Sequence, residues 1–383
     1  MDIVCFSHLR WNFVYQRPQH LLSRFAKTQR VFYIEEPFFE TAEDTYTITN
    51  TKENVQVVVL HLKGSPAEEN IDRQKKLLTQ IFDQNNLYNY LFWYYTPMAL
   101  QISNHLKPVI TVYDCMDELS AFKFAPPLLK NLETQLFEKA DLVFTGGHTL
   151  YEAKKSQHSN VYPFPSSIDK THFGKARNIM DSPADQADIP HPRLGFYGVI
   201  DERFDIELIK EAAQQRPEWH FILIGPVVKI DPASLPRFEN IHYLGGKSYN
   251  DLPSYLQGWD IALVPFLLNE STRFISPTKT PEYLSGGKPV ISTPIQDVVH
   301  PYGVRGLVHI INNTEEFVQQ AERELATENK EEWLAKTDDF LRNNSWDETW
   351  EKMNDLIKAL KQKKTLSNSK EINNYTKKED AYV

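Results

Sequence analysis

Short apolar runs alternate with amphipathic stretches along most of the chain, a pattern that predicts an α/β protein built on parallel sheets. Asp2–Ser7 reads as a first buried strand. It leads through the loop HLRWNFVYQR into a helix that opens at Pro18 and carries Leu21, Leu22 and Phe25 on its apolar face. Val31–Ile34, Val55–Leu60, Leu91–Tyr95, Val109–Tyr113 and Asp141–Thr145 read as further strands, with helices near 70–84, near 97–106 and through Leu128–Phe137. Residues 174–192, GKARNIMDSPADQADIPHP, are polar and aperiodic, the composition of a linker. The pattern then restarts with strands at Arg193–Gly198, Trp219–Gly225, Ile241–Leu244, Asp260–Pro265 and Gly306–Ile310, followed by helices around 314–326 and 330–343. In SWDETWEKMNDLIKALKQKK, Trp346, Trp350, Met353, Ile357 and Leu360 fall on roughly one helical face. Residues 365–383 are polar and expected to be a disordered tail.

A chain of 383 residues exceeds one ordinary core and fits two α/β domains, expected at 1–175 and 190–345. The net charge of −9, with no basic stripe bearing interleaved aromatics, argues against a nucleic-acid partner. Cys5 and Cys115 both sit in apolar strand-like runs, which argues against a disulfide framework or a zinc site. The opening MDIVCFS enters a strand without the pattern of a signal peptide, and no apolar run reaches the ~18 residues of a membrane span. A cytoplasmic location is expected. Lys358, Lys361, Lys363 and Lys364 could touch anionic lipid at the inner face of a membrane, although such tails more often serve solubility.

Candidate chemistry concentrates in NESTRFISPTKTPEYLSGGKPVISTPI, residues 269–295. It reads as a loop, a helix start at Ser276–Thr280 with Pro281 in the first turn, a Gly286-Gly287 stop and a buried strand. A helix start fronted by small residues and Lys279 suits a phosphate, and Glu282 stands to the side, where it can accept from a ribose diol. Strand-end loops elsewhere carry further candidates, since ligands bind at the carboxyl edge of open parallel sheets. These are Arg17, with His8, Arg10, Trp11, Tyr15 and His20 beside it, and Asp114 and Asp117 in YDCMDE. The two aspartates could orient an acceptor hydroxyl or act as a base; Asp117 is equally suited to cap a helix. Trp11 and Tyr15 could instead pack on the sheet. His148, in a Gly-Gly-His turn, reads as structural.

The string SPTKTPEYLSGGKPVIST resembles the nucleotide-sugar signature of GT-B glycosyltransferases, especially the retaining family 4. Glu282 matches the closing glutamate of that family's Glu-x7-Glu motif; Phe274 stands where the first glutamate would be, with Glu270 as a substitute. WNFVYQRPQHLLSRFA resembles the opening of bacterial polysaccharide-type (group 1) members, and DLVFTGGHTLYEAKKSQHSNVYPFPSSIDKTHF resembles the end of the family's N-terminal domain. The resemblance implies two Rossmann-like domains facing across a cleft, with a C-terminal helix at 346–364 crossing back to the first. It implies transfer of a sugar from a nucleotide diphosphate donor, UDP-sugar favoured and GDP-sugar allowed, to a glycan or lipid-linked acceptor. Pro277, Thr278, Lys279, Thr280 and Arg203 would meet the diphosphate, Glu282 the ribose, and Lys229, Lys247 and Tyr249 the base. Arg17 would act from the opposite wall. The expected reaction is retaining and uses neither metal nor cofactor; an inverting one would need Asp114 or Asp117 as base. An epimerase of the same fold and a non-catalytic scaffold subunit are the alternatives.

Overall fold

The structure, a computed structural model, describes residues 1–66, 70–178 and 180–379, with the side chains of Glu40 and of 368–379 left out of account. Its first sheet contains β1 (Asp2–Phe6), β2 (Val31–Ile34), β3 (Phe38–Thr41), β4 (Thr45–Asn50), β5 (Val55–Lys63), β6 (Tyr90–Tyr94), β7 (Ile110–Cys115), β8 (Leu142–Thr145) and β9 (Val161–Pro163). The order is β3-β5-β2-β1-β6-β7-β8-β9, with β4 paired antiparallel to β5. All the other pairings in this sheet are parallel. The central strands are apolar on both faces because helices cover both sides. β3 and β4 had no counterpart in the apolar pattern: β4 alternates exposed and half-buried residues at the sheet margin, so its run TYTITN looks polar.

The second sheet contains β10 (Arg193–Tyr197), β11 (His220–Ile224), β12 (Ile241–Gly245), β13 (Ile261–Val264), β14 (Val290–Ser292) and β15 (His309–Ile310), ordered β12-β11-β10-β13-β14-β15 and wholly parallel. The chain reverses its direction of growth at β10, and in such sheets the loops at that switch hold ligands.

The crossover between the domains differs from the expected linker. Residues 174–177 form a helical turn and 184–187 a short helix, and both dock on the second domain. Ala176 is buried in its core. Gln186 is fully buried, accepting from Trp259 Nε1 at 2.9 Å and donating to the Tyr255 carbonyl at 3.0 Å. Arg177 donates to the carbonyl of Ser285 at 2.7 Å and pairs with Asp338. A few polar side chains placed to satisfy buried partners are enough to dock a segment that has no periodicity of its own.

The actual crossing lies at Ser167–Ile168, beside the start of the last helix (Trp346–Glu379): the Trp346 N–H donates to the Ile168 carbonyl at 3.3 Å, and the Ser167 and Thr349 hydroxyls lie 2.6 Å apart. That helix returns to the first domain, as expected. Trp346, Met353 and Ile357 are buried in its core, Trp346 stacks on His20 at 4.6 Å, and Asp347 accepts from Arg24. Burial of each such side chain is worth about 1.5–3 kcal/mol. The helix also runs through 365–379, where a disordered tail was expected; the stretch contains no Gly or Pro to stop it. The expected tail at 380–383 lies outside the described residues. Cys5 and Cys115 are buried and unbonded. Among the described residues no helix is long and apolar enough to cross a membrane.

Candidate active site

The carboxyl ends of the two sheets face each other across a cleft of about 1170 Å³. Its first wall comes from the loop after β1, the β4–β5 turn at 49–53, and Met116-Asp117 after β7. Its second wall comes from the loops after β10, β11 and β12 and from Ile275–Lys279 with Glu282.

The helix Lys279–Ser285 has no side-chain cap at Thr278; the Thr280 N–H donates to the Pro277 carbonyl at 3.4 Å, while the Thr278 and Lys279 N–H groups find no acceptor among the described residues. Lys279 crosses the end of β10 here. Gly198, at φ +146°, makes this course available, because a Cβ there would lie 2.2 Å from Lys279 Cε. The side chain is half-buried; its ammonium sits 5.8 Å from the Phe196 ring centroid and makes no hydrogen bond or ion pair among the described residues. Burial lowers its pKa, with Glu282 opposing. Glu282, 6% exposed, accepts from the Tyr197 hydroxyl at 2.9 Å through Oε2, while Oε1 has no hydrogen-bond partner. Burial raises its pKa, with Lys279 and the Tyr197 bond opposing.

Arg203 lines the same corner. Buried Asp201 fixes it, accepting from Nε at 3.0 Å and from Nη2 at 2.7 Å, which leaves Nη1 uncommitted. Asp117 faces this group from the first domain; burial pushes its pKa up to about 6, against the pull of Arg203, Arg17 and Lys279. The corner therefore gathers the cations Lys279 and Arg203 with three carboxylates, of which Asp201 is paired to Arg203 and Glu282 and Asp117 are held above their ordinary pKa, an arrangement suited to an anionic ligand and to proton exchange.

Other candidates take different roles. Arg17 reaches the cleft edge, but its guanidinium is spent on Asp114 (Nη2 to Oδ1 2.8 Å, Nε to Oδ2 3.0 Å) and on the Phe164 carbonyl at 2.8 Å. Asp114 is fully buried and off the cleft, so it cannot serve as a base for a bound hydroxyl. The pair is a buried structural bridge. Of the predicted phosphate contacts, Pro277, Thr278 and Lys279 line the cleft, whereas Thr280 turns to the core, fully buried with its hydroxyl unpartnered. The helical rotation between neighbouring residues explains the split. Lys247 lines the cleft but pairs with Asp185 at 2.6 Å. Tyr249 lines it too, inside an aromatic stack with His172 (4.3 Å) and Tyr15 (4.5 Å) that joins the domains. Lys229 is off the cleft, near Glu202 and the Phe122 ring. Trp11 packs edge-on against Tyr33 and is held by Glu35. Phe274 also points away from the cleft and packs against the first domain's core; Glu270 is exposed and does not line the cleft, so it replaces no missing glutamate.

Asp201 and Tyr197 escaped sequence reasoning. The only trace was an aspartate two residues before Arg203, a spacing too common to single out. Asp201→Asn keeps one acceptor but loses the charge, so Arg203 should wander, and affinity for the nucleoside diphosphate expected from sequence should fall by about tenfold, equivalent to ~1.4 kcal/mol. Calorimetry at constant salt checks this; parent affinity would show that Arg203 needs no support.

Comparisons with known proteins agree with this architecture. Residues 191–327 match the family model described as "Glycosyl transferases group 1". The chain is 25% identical over 217 residues to the putative teichuronic acid biosynthesis glycosyltransferase TuaH of Bacillus subtilis (strain 168), covering 52% of this chain and 54% of that protein. It thus spans about half the length of this curated relative. Among solved structures, sucrose-phosphate synthase from Thermosynechococcus elongatus superposes with a TM-score of 0.72 at 14% identity, over 94% of this chain and 99% of that one. A structure described as trehalose-6-phosphate from E. coli bound with UDP-2-fluoro glucose gives 0.69 at 11% identity over 94% and 99%. A glycosyltransferase from Rickettsia africae gives 0.64 at 14% identity over 94% and 98%. Residues 191–327 are thus similar to group 1 glycosyltransferase domains, in a chain with the GT-B fold.

Proposed function

We propose that the protein transfers a sugar from a nucleotide diphosphate sugar, UDP-sugar before GDP-sugar, to a hydroxyl of a glycan or lipid-linked acceptor in cell-surface polysaccharide synthesis. One observation carries the reading: Lys279 and Glu282, one helical turn apart, both face the interdomain cleft, the ammonium and one carboxylate oxygen unpaired. The UDP-2-fluoro glucose in the E. coli relative of the same fold and the polysaccharide pathway in the name of the Bacillus relative support the choice of donor and process.

In this reading the bond from the anomeric carbon to the diphosphate oxygen breaks as the acceptor oxygen bonds to that carbon, on the same face. The acceptor proton passes to the departing diphosphate oxygen. Lys279, Arg203 Nη1 and the N–H groups at Thr278–Lys279 stabilise the charge that builds there, with donors already held in place before the reaction. These fixed cations do the work a metal would do elsewhere, so transfer should persist in EDTA. Glu282 holds the ribose hydroxyls. Asp117, from the opposite wall, meets the sugar or the acceptor; it is also the group placed to act as base if the product is inverted. With Phe274 turned away, the sugar contacts fall to the first wall.

Glu282→Gln tests the donor assignment. A ribonucleotide should lose more affinity than its 2′-deoxy analogue, because only the former offers the full diol. Glu282 deprotonates above the ordinary glutamate range, so in the parent the preference for ribose should be stronger at about pH 8 than at about pH 5. Equal losses for both nucleotides, or a preference that does not change with pH, would sink the ribose role. Incubation with a panel of nucleotide sugars separates the alternatives: product without acceptor marks an epimerase, and no binding marks a scaffold.

A further inference from the structure

Away from the cleft chemistry, one carboxylate of the second domain caps a helix of the first. Asp297, 7% exposed, lies in the short helix Gln296–Val299 after β14. Its Oδ2 accepts from the His148 N–H at 2.9 Å and its Oδ1 from the Thr149 N–H at 2.9 Å and from the Thr149 hydroxyl. Those groups open the helix His148–Lys154, whose own N-cap position is Gly147 and supplies no side chain. Gly147 has an extended backbone that any residue can adopt, so its φ is not why glycine stands there. Space is the reason: a Cβ would fall 2.1 Å from Asp297 Oδ2 and 2.9 Å from the Ser276 Cβ, both in the other domain. Beside this junction Ser166 donates to the Ser276 carbonyl at 2.8 Å. Gly146, Ser276 and Pro277 all line the cleft.

We propose that Asp297 is an interdomain clasp, a positioning residue that holds the cleft closed and sets Ser276–Lys279 against the first domain. Opening the domains here would strip a buried carboxylate of its hydrogen bonds to His148 and Thr149, and Gly147 at the N-cap position has no side chain to replace the cap. The closed arrangement is thereby favoured over a continuum of partly open ones. The clasp acts through the relative placement of the walls and touches no ligand.

The scattering arm of the test needs no substrate, so it stands or falls apart from the proposed transfer reaction. Asp297→Ala and Gly147→Ala break the clasp from opposite sides, and each should enlarge the radius of gyration of the ligand-free protein. The double variant should expand by less than the sum of the two single changes, because the alanine at 147 then strikes only the Ser276 Cβ and no carboxylate. Should one variant fail to fold, the other decides. Where transfer is measurable, kcat should fall roughly tenfold to a hundredfold while UDP affinity stays at the parent value, since misplacement of the walls costs the reaction rather than the anion site. A radius unchanged in both single variants overturns the clasp, as does additive expansion in the double.

Discussion

Arg17→Ala should produce a protein destabilised by about 3–5 kcal/mol, not a well-folded enzyme that merely transfers slowly. From sequence, Arg17 looked like a group reaching over the cleft. In the structure it is 4% exposed, and its guanidinium meets a fully buried Asp114 and the Phe164 carbonyl. Removing it leaves a carboxylate with no countercharge in the core. Burial already raises the Asp114 pKa and Arg17 opposes that rise. Without the arginine the native state should hold its proton to higher pH. A raised native pKa gives stability that is present at low pH and lost as pH rises, so the penalty of Arg17→Ala should be greater at about pH 8 than at about pH 5. Denaturant titrations at the two pH values check both statements. Arg17→Ala with Asp114→Ala should cost less than the sum of the single changes, because the second change removes the stranded charge. A single variant within ~1 kcal/mol of the parent would mean that the pair is not structural.

Lys279→Ala should have the opposite profile, with stability held and ligand lost. The ammonium of this half-buried side chain makes no hydrogen bond or ion pair among the described residues, and burial lowers its pKa, so the folded protein gains little from keeping it. A bound diphosphate would gain a charge-assisted contact of ~1.5–3 kcal/mol, which is roughly 10-fold to 150-fold in UDP affinity. The loss should shrink as salt rises, as expected for a cation facing solvent through an open cleft. Calorimetry with UDP at two ionic strengths measures both effects. Parent affinity for UDP would place the diphosphate elsewhere and remove the main support for the donor site.

Periodicity alone sufficed to call for two parallel α/β units. Buried parallel strands must be apolar on both faces, and strands such as Val31–Ile34 and Ile261–Val264 therefore stand out. The placement of Lys279 and Glu282 was equally legible, since a helix start, its cation and a carboxylate one turn on are close in sequence and so close in space. The apolar face on the last helix was legible as well, whereas its return to the first domain was implied only by the resemblance to GT-B glycosyltransferases. Edge strands such as β3 and β4 were hidden because a half-solvated strand carries no continuous apolar run. The roles of Arg17, Asp114, Asp201, Tyr197 and Asp297 depend on pairings that range from two residues apart to 149. Spacing cannot say whether an arginine will meet a ligand or a buried aspartate, because both satisfy the same five donors. Thr280 shows the same limit over a single residue: its neighbour faces the cleft, and the fold's choice of which helical face to bury turned its hydroxyl inward. Local chemistry is written along the chain, whereas the partner that consumes each charge is set only when the two sheets and the crossing segments pack.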